Sequence, residues 1–478
     1  MSDPFSLVPL AIAAGGGRIN DEPAQRMVAA GLTLLQRSAP LVRALAGRRA
    51  AILLPTGQAY LTALAAAEGR GAVLVNPLAA APEIEHQLTD ADAGAVLTTS
   101  ALASRLPPHV VQVHLDDAPR SATVHAGGQA RRVDLGSHVG LQLEGDTTAS
   151  GRDEEAAIVY TSAMAGTPLG AVLTHRNLLA NARAAIEAVA FTGDDHVLAA
   201  LPFSHLFGLV VTGLAPLLVG ARVNAPDRFH PLRALETLER DGITAIVGVP
   251  AIFAALVAAL ERRGSGLRSP ALRLCICGGS PLPVALQDRW AELTGVELRQ
   301  GYGLTEGGPV CLFNRVELPN QRGALGVPFP GVEVSVRDPD GGDPLADGVT
   351  GELCVRGPNV SPGYVSHGAD GLQRRDGWLC TGDLGARRPD GAFVFRGVRK
   401  AMFTRNGFNI YPCELERAVL ELPGVRAARV TPRGAPEAEC EIQLEVTGDV
   451  DEAAVRRWCA ERLGAYKQPA DVVVTGPA

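Results

Sequence analysis

The chain has 478 residues, of which 46% are hydrophobic, a formal net charge of −7 and a pI near 5.9. That length allows a large buried core and predicts two or more domains, while the acidic balance excludes the charge pattern of a nucleic-acid-binding protein. The apolar stretch 209–219 contains glycine and proline and is too short for a bilayer, so no membrane association is expected. Asp3, but no Lys or Arg, precedes the apolar run 6–14, which predicts a cytoplasmic protein without a secretory signal.

Short strand-like runs alternate with Ala-rich helical runs through the first part of the chain. The strand-like runs are residues 51–54, 95–98, 156–160, 244–249 and 272–277, and the helical runs begin at residue 61 and span 177–189 and 251–260. This alternation predicts layers of α/β structure around parallel sheets.

The pattern changes between residues 323 and 395. Turn signals at Asp340-Gly341, Asp376-Gly377 and Asp390-Gly391 separate short strands there, which predicts an antiparallel, barrel-like β segment. The last residues return to α+β, with helices predicted at 414–421 and 452–463 and strands at 425–430 and 441–446. A boundary near Gly397 therefore divides the chain into an N-terminal domain of residues 1–396 and a C-terminal domain of residues 397–478.

The eight cysteines are scattered along the chain. Cys275 and Cys277 lie two apart in an apolar strand and share one face of it. A metal site needs further ligands at close spacing, and none lie near these two. Buried free thiols are the preferred interpretation, and no metal site is predicted.

Four separated segments contain the candidate functional residues. They are YTSAMAGTPLG from Tyr160, GYGLTE from Gly301, WLCTGD from Trp378, and Arg399-Lys400 followed by NGFNIYPCELE from Asn406. A strand that ends in a Gly-rich turn can present backbone N–H groups to phosphate oxygens. In order and spacing the four segments resemble the adenylate-forming superfamily of acyl-CoA synthetases, peptide-synthetase adenylation domains and firefly luciferase. The resemblance runs over about residues 156–469.

This resemblance implies a large N-terminal domain of layered α/β subdomains with a β-barrel-like segment, and a small mobile C-terminal α+β domain. It implies an acyl-adenylate site formed by Gly279, Ser280, Pro281, Gly301, Tyr302, Gly303, Thr305, Glu306 and Asp383. Tyr302 is expected to flank the adenine, Thr305 to hold the α-phosphate and Asp383 to accept hydrogen bonds from the ribose hydroxyls. Glu306 occupies the position at which the family binds magnesium.

The resemblance also implies two catalytic residues. His205 matches a position between the acyl pocket and the pantetheine tunnel, although a lone histidine is more often structural, and Lys400 matches the hinge about which the C-terminal domain rotates. Binding of CoA is implied for Asn406, Gly407 and Phe408. The apolar candidates for the acyl pocket, which fit a hydrophobic or bulky acid, are Phe203, Phe207, Val249 and Leu304.

The phosphate loop departs from the family pattern Thr-Ser-Gly-Thr-Thr-Gly-x-Pro-Lys-Gly. Ala163 replaces its first glycine, Met164 and Ala165 replace the two threonines, and Leu169 replaces the lysine. Two hydroxyl donors and a cation are thereby lost from the part of the site that should bind the β- and γ-phosphates.

Two further departures lie in the C-terminal domain. Family members carry a late lysine some way beyond a Tyr-Lys-x-Pro element, and no lysine follows Lys467 in this chain, for which a surface role is expected instead. The usual nucleotide-contacting arginine before the hinge is Val398. Loss of one preorganised charge stabiliser costs about 100- to 1000-fold in rate, so efficient adenylation is not expected.

The residues that are kept would bind an acyl-adenylate and admit CoA. The leading hypothesis is thus a non-adenylating acyl-CoA ligase, similar to the one in platensimycin-type diterpenoid biosynthesis, that uses acyl-AMP and CoA as substrates and a separate adenylating ligase as partner. The departures put a role for ATP and magnesium in question. The alternatives are an ordinary ATP-dependent acyl-CoA ligase, a catalytically silent paralogue that binds AMP or a partner, and acyl transfer to a carrier-protein thiol or an amine.

Overall fold

The computed structural model describes residues 7–67, 71–115, 120–136, 155–161, 168–366, 368, 371–398, 403–434 and 440–476. Its α-helices are α1 (Val8–Gly15), α2 (Ala24–Arg37), α3 (Ala39–Ala44), α4 (Gln58–Ala67), α5 (Ala81–Asp90), α6 (His175–Val189), α7 (Ala215–Leu218), α8 (Pro231–Arg240), α9 (Pro250–Arg263), α10 (Val284–Thr294), α11 (Pro412–Leu420) and α12 (Glu452–Arg462). Short 3₁₀ turns span Ala103–Arg105, Thr305–Gly307 and Ala465–Lys467, and a π-helix spans Gly208–Leu214.

The strands are β1 (Arg18–Ile19), β2 (Glu22–Pro23), β3 (Arg49–Leu53), β4 (Ala72–Leu74), β5 (Ala93–Thr98), β6 (Val111–His114), β7 (Ser121–Ala126), β8 (Gln129–Asp134), β9 (Glu155–Thr161), β10 (Leu169–Thr174), β11 (His196–Ala199), β12 (Arg222–Asn224), β13 (Ala245–Gly248), β14 (Leu274–Cys277), β15 (Leu298–Tyr302), β16 (Leu312–Phe313), β17 (Val327–Pro328), β18 (Glu333–Arg337), β19 (Gly351–Arg356), β20 (Gly363–Tyr364), β21 (Arg374–Arg375), β22 (Trp378–Arg387), β23 (Phe393–Val398), β24 (Phe403–Arg405), β25 (Phe408–Ile410), β26 (Val425–Arg433), β27 (Glu441–Gly448) and β28 (Asp471–Thr475).

The first sheet has nine strands in the order β17-β16-β15-β14-β13-β11-β12-β1-β2. Its central strands β12, β11, β13, β14 and β15 pair with one another in parallel, and β15 pairs with β16 in antiparallel orientation. Parallel strands buried on both faces are built from continuous apolar runs, and the four residues of β14 are all buried. The loops that follow β11, β13, β14 and β15 therefore leave the sheet at one edge, where α/β folds bind ligands.

The second sheet also has nine strands, in the order β20-β10-β9-β4-β3-β5-β6-β7-β8. Strands β3, β4 and β5 pair in parallel, whereas β9 and β10 form an antiparallel pair on either side of the phosphate-loop segment. Helix α6 begins directly after β10, where the Thr174 hydroxyl accepts from the Asn177 N–H in a capping box. This local signal fixes where the strand ends and the helix begins.

The segment with repeated Asp-Gly turns forms a five-stranded antiparallel sheet in the order β18-β19-β22-β21, with β23 also paired to β22. This confirms the antiparallel pairing predicted for the segment. The ten-residue strand β22 contains Asp383, and its pairing with β23 places Val398 directly opposite Asp383.

The C-terminal residues form the hairpin β24–β25 and the three-stranded sheet β26-β27-β28, covered by α11 and α12. They enclose a separate apolar cluster whose buried members all lie between Phe403 and Val472. The mixed α/β architecture with a small C-terminal α+β unit is as predicted. The boundary near Gly397 stays a prediction, and the hinge residue Lys400 lies outside the described residues. Within the described ranges, no helix combines the length and apolar character needed to cross a bilayer.

Candidate active site

A cavity lies at the edge of the first sheet where its parallel strands end. The loops after β14 and β15 contribute Gly278, Gly279 and the run 301–305 to its wall. Thr161 at the end of β9 lines it from the second sheet, and Phe408 and Tyr466 line it from the C-terminal residues. Three of the four motif segments, which are remote in sequence, thus line one space.

The motif glycines permit a backbone approach that a side chain would block. A Cβ added at Gly303 would lie 1.8 Å from the carbonyl oxygen of Pro309. A Cβ added at Gly279 would require a residue with a φ of +82°, which L side chains rarely adopt. The wall of the cavity at these two loops is therefore main chain.

Tyr302 and Asp383 join β15 to β22. The Tyr302 hydroxyl donates a 2.7 Å hydrogen bond to Asp383 Oδ2, and the Thr381 hydroxyl accepts from the Asp383 N–H at 3.1 Å. Burial raises the pKa of Asp383 to about 6, although the Tyr302 hydrogen bond acts in the opposite direction. Burial likewise raises the pKa of Tyr302, so this phenol remains protonated and keeps its role as donor. Val398 lies opposite Asp383 on β23.

Glu306 faces the end of the β9–β10 pair. Its Oε1 accepts from the Tyr364 hydroxyl at 2.6 Å and from the Thr161 hydroxyl at 3.4 Å. Thr305 and Glu306 stand at the start of the 3₁₀ turn Thr305–Gly307, which follows the cavity wall. A single carboxylate beside a phosphate-binding loop suits Mg²⁺, which is held in nucleotide sites by one or two carboxylates together with phosphate oxygens.

The β9–β10 pair differs from the hydrogen-bonded contacts of Asp383 and Glu306 because it contributes an apolar side chain. Leu169 pairs with Thr161 across the hairpin and packs against the large apolar core cluster that spans both nine-stranded sheets. Its hydrocarbon side chain stands where the family pattern has a lysine. Ala163, Met164 and Ala165 lie outside the described residues.

His205 lines both the first cavity and a second one. Its Nδ1 accepts a 3.2 Å hydrogen bond from the Phe207 N–H. Burial lowers the pKa of His205 to about 4, so the ring is neutral near pH 7. Phe408 stands edge-on to the His205 ring at 6.3 Å between centroids. A neutral histidine thus lies between the two cavities and under a C-terminal aromatic side chain.

Residues 41–365 match the family model described as AMP-binding enzyme. The chain belongs to the AMP-binding enzyme family. A feruloyl-CoA synthase of an Amycolatopsis species is 33% identical over 439 residues, covering 90% of this chain and 85% of the relative. A long-chain-fatty-acid–CoA ligase of Escherichia coli O157:H7 is 30% identical over 460 residues, covering 88% of this chain and 81% of the relative. The solved structure of o-succinylbenzoate CoA synthetase from Bacillus subtilis, a double mutant bound with a product analogue, has a TM-score of 0.78 at 25% identity and covers 98% of this chain and 94% of that one.

The second cavity of this AMP-binding enzyme meets the first at His205, Phe207 and the Gly407-Phe408 segment. Among its lining residues, Asn406 and Gly407 have φ values of +51° and +78°. A Cβ added at Gly407 would lie 2.5 Å from Val249 Cγ1. The three residues predicted to bind CoA are therefore brought together beside His205, and a side chain at Gly407 would collide with the opposite wall.

The structure corrects part of the predicted acyl pocket. Phe203 is fully buried, stands edge-on to Tyr60 at 5.7 Å between centroids, and lines neither cavity. Val249 lines the second cavity and not the first. Phe207 and Leu304 line the first cavity, and their assignment to the acyl pocket stays a prediction. The sequence could not separate a phenylalanine in the core from one in a cavity wall, because both are apolar.

Several predicted site residues lie near the cavity without lining it. Ser280 and Pro281 follow Gly279 in the same loop, and Glu306 and Asp383 stand behind the wall formed by Tyr302 and Thr305. Sequence reasoning missed the deep end of the first cavity, which is lined by Ala185, Val189, Val211, Ile276, Phe313 and Phe329. No sequence motif marks these residues, since they come from five separate segments.

Proposed function

We propose that this AMP-binding enzyme is an acyl-CoA ligase that performs the thioester-forming half-reaction, in which acyl-AMP and CoA give acyl-CoA and AMP, and that it activates free acids with ATP poorly. The observation that carries the proposal is a contrast within one site. Asp383, Tyr302 and Glu306 keep a polar, hydrogen-bonded arrangement, whereas Leu169, which occupies the position of the family's lysine, packs against the apolar core. In this respect the chain resembles the non-adenylating ligase of platensimycin-type biosynthesis, and its acyl-adenylate would come from a separate ligase.

The thioester-forming half-reaction requires mainly that the protein position the CoA thiolate and the acyl-adenylate. The CoA thiolate attacks the carbonyl carbon of the mixed anhydride, the C–S bond forms, the C–O bond to phosphate breaks, and AMP leaves with the electron pair. A thiolate is a strong nucleophile and AMP a good leaving group, so correct placement supplies much of the rate. Asp383, as a carboxylate, would hold the ribose hydroxyls, and the Gly301–Gly303 backbone would place the α-phosphate beside Thr305.

His205 would act as a donor and not as the base for the thiol. Its Nδ1 already accepts from the Phe207 N–H, so the one proton of the neutral ring lies on Nε2. An Nε2–H group between the two cavities can donate to a substrate oxygen but cannot take a proton from CoA. The thiol proton would therefore be lost to solvent before the attack.

The second cavity fits the pantetheine arm of CoA. Most of its lining is apolar, including Leu201, Pro202, Phe229, Ala251 and Ile252. It reaches the first cavity beside His205, where the thiol must meet the acyl carbonyl. We assign the second cavity to the thiol substrate and the Gly407 segment to its wall.

The first cavity favours an uncharged, apolar acyl group. Its deep end is formed by Ala185, Val189, Val211, Ile276 and two phenylalanines, none of which can pair with a charge. A carboxylate or ammonium at the far end of the acyl group would lose its hydration without gaining a partner. The feruloyl-CoA and long-chain-fatty-acid–CoA ligases among the relatives act on acids whose far ends are uncharged, which supports the same class here.

A second candidate is a complete ATP-dependent acyl-CoA ligase. The position and hydrogen bonds of Glu306 favour it, because this carboxylate is retained where a magnesium–nucleotide would bind. The two curated relatives favour it as well, since both carry the name of a CoA-forming ligase or synthase. When bound, magnesium would supply charge neutralisation at the phosphates.

A paired assay separates the two candidates. One arm contains a panel of apolar carboxylic acids with ATP, magnesium and CoA, and the other contains the corresponding acyl-adenylates with CoA. Thioester formed in the second arm alone, above a no-enzyme control, is the expected result. Comparable rates in both arms would overturn the non-adenylating proposal in favour of the complete ligase, and no thioester in either arm would overturn both.

A further inference from the structure

Lys467 is buried and contacts two carboxylates. Its Nζ lies 2.7 Å from Glu83 Oε1 and 2.5 Å from Glu414 Oε1, and the exposed fractions of the three side chains are 4%, 11% and 8%. This corrects the prediction of a surface role for Lys467. A buried ammonium is tolerated only when it is paired and hydrogen-bonded, so the three side chains, called here the Lys467 cluster, form one unit.

The Lys467 cluster joins two parts of the molecule that have separate cores. Glu414 lies in the first turn of α11, and Lys467 lies in the 3₁₀ turn Ala465–Lys467, both in the C-terminal part. Glu83 lies in the first turn of α5, beside the second sheet, where its Oε2 accepts from the Ala80 N–H at 2.7 Å. A neighbouring backbone hydrogen bond crosses the same contact, from the Ala465 N–H to the Leu78 carbonyl at 3.2 Å.

The cluster is connected to the cavity through Tyr466. The Tyr466 ring stacks on Phe408 with 4.4 Å between centroids, and Phe408 in turn stands edge-on to His205. The Lys467 ammonium lies 5.2 Å from the centre of the Tyr466 ring, within the range of a cation–π contact. Tyr466 and Phe408 both line the first cavity. The aromatic wall over His205 is therefore attached directly to the buried cation.

We propose that Lys467, through its contact with Glu83, is a positioning residue for the thioester-forming step. It holds Tyr466 and Phe408 over His205, so that the thiol cavity and the acyl-adenylate cavity meet at the reacting carbonyl. The inference rests on the proposed function, because it concerns the same half-reaction.

Two features separate this role from a purely structural one. Glu414 alone would pair Lys467 within the C-terminal part, so a cluster needed only for folding would not require Glu83. Glu83 also lies more than fifty residues before the first motif segment and on the other side of the domain contact. Removal of the Glu83 charge leaves the Lys467–Glu414 pair in place and weakens only the attachment across the two parts.

The test compares Glu83→Gln with Glu85→Gln, which neutralises an exposed carboxylate on the same helix. The kcat and KM for CoA are measured with a preformed acyl-adenylate, and the affinity for that acyl-adenylate is measured without CoA. Glu83→Gln is expected to lower kcat/KM for CoA by roughly 10- to 100-fold, as for a reacting group misplaced by about 1 Å. Its acyl-adenylate affinity is expected to match that of the wild type, and Glu85→Gln to match the wild type in both measurements.

A conservative pair of variants provides the second readout. Lys467→Arg keeps the charge and can contact both carboxylates, so it should retain more of the thioester-forming rate than Lys467→Met. Equal kcat/KM for CoA in Glu83→Gln and Glu85→Gln would overturn the positioning role while the proposed function stands. Equal loss of acyl-adenylate affinity and CoA kinetics in Glu83→Gln would mark the cluster as structural only. A wild-type enzyme that transfers no acyl group from any acyl-adenylate would overturn the proposed function itself.

Discussion

The two sides of the first cavity differ in the side chains that form them. On the β15–β22 side, Tyr302 donates to Asp383 at 2.7 Å. On the β9–β10 side, Thr161 on β9 and Tyr364 on the adjacent strand β20 donate to Glu306 at 3.4 Å and 2.6 Å, and Leu169 packs against the apolar core. Under the proposed function, the first side would hold the ribose, and the second side has Leu169 where the family pattern has a lysine.

We propose that binding a nucleotide and activating it are separable properties of this fold. In that proposal, ribose recognition would depend on Asp383 in β22, which pairs with β23 in the third sheet. Triphosphate recognition would depend on the β9–β10 pair of the second sheet. The two sheets share part of one apolar core cluster, which includes Val159 on β9 and Leu379 on β22. Substitutions at surface positions of one side that share no partner with the other side are expected to leave that other side intact.

The largest effect is expected when the residues of the family pattern are restored in the phosphate loop. A variant carrying Met164→Thr, Ala165→Thr and Leu169→Lys regains two hydroxyl donors and a cation. Since a single preorganised stabiliser is worth about 100- to 1000-fold in rate, pyrophosphate release from ATP and an apolar acid is expected to rise by at least about 100-fold. Leu169 is only partly buried, so the lysine can reach solvent.

The control for that variant is the rate of thioester formation from the preformed acyl-adenylate, which the restoration should leave unchanged. A matched substitution outside the site, Leu232→Lys on the exposed face of α8, should raise neither rate. Wild-type pyrophosphate release already equal to that of the restored variant would remove the contrast on which the proposed function stands.

The next largest effect is expected from a substitution of Asp383 on the β15–β22 side. Asp383→Ala removes the acceptor for the ribose hydroxyls and leaves the Tyr302 hydroxyl without its 2.7 Å partner. Hydrogen bonds to a charged group contribute about 1.5–3 kcal/mol each, so adenosine and acyl-adenylate affinity should fall by roughly 100-fold. Calorimetric titration measures this loss. Arg262→Ala, at the exposed end of α9, serves as a surface control, and an Asp383→Ala variant that binds adenosine normally would place the ribose elsewhere.

Prediction from the sequence succeeded where the structure around a residue is determined by its neighbours in the chain. The helices and strands that the sequence predicts agree with the structure to within a few residues, for example α6 as 177–189 against the observed His175–Val189, although short strands such as β1, β2 and β6 are not predicted. The predicted strand 272–277 ends where β14 ends, at Cys277, just before the Gly279 loop. The contrast between Asp383 and Leu169 was also visible, since each stands inside a recognisable motif.

Sequence reasoning failed where a residue depends on distant contacts. Phe203 was assigned to a pocket but packs on Tyr60, far away in the chain. Lys467 was assigned to the surface, although its partner Glu83 is 384 positions away. The deep cavity residues, such as Ala185 and Phe329, are ordinary core residues by composition. Only the folded arrangement decides which apolar side chains face a cavity and which lysine is buried.

A smaller effect, on the pH dependence of adenosine binding, would sharpen the comparison. Burial raises the pKa of Asp383 to about 6 in the unliganded protein, so the folded state favours the protonated carboxyl group. The contribution of this protonated group to folding stability is lost as the pH rises through 6. A ribose needs the carboxylate form as acceptor. Adenosine, which has no phosphate to titrate, should therefore bind about tenfold more weakly at pH 5 than at pH 7.

His205 does not interfere in this range, because its pKa of about 4 leaves the ring neutral from pH 5 to pH 7. Asp383→Asn is the matched variant: it cannot ionise, so its weaker adenosine affinity should be constant across the same range. Titrations at half-unit steps distinguish the two profiles. If wild type and Asp383→Asn lose affinity in parallel as the pH falls, another group controls the ribose side, and the polar half of the comparison must be assigned to a residue other than Asp383.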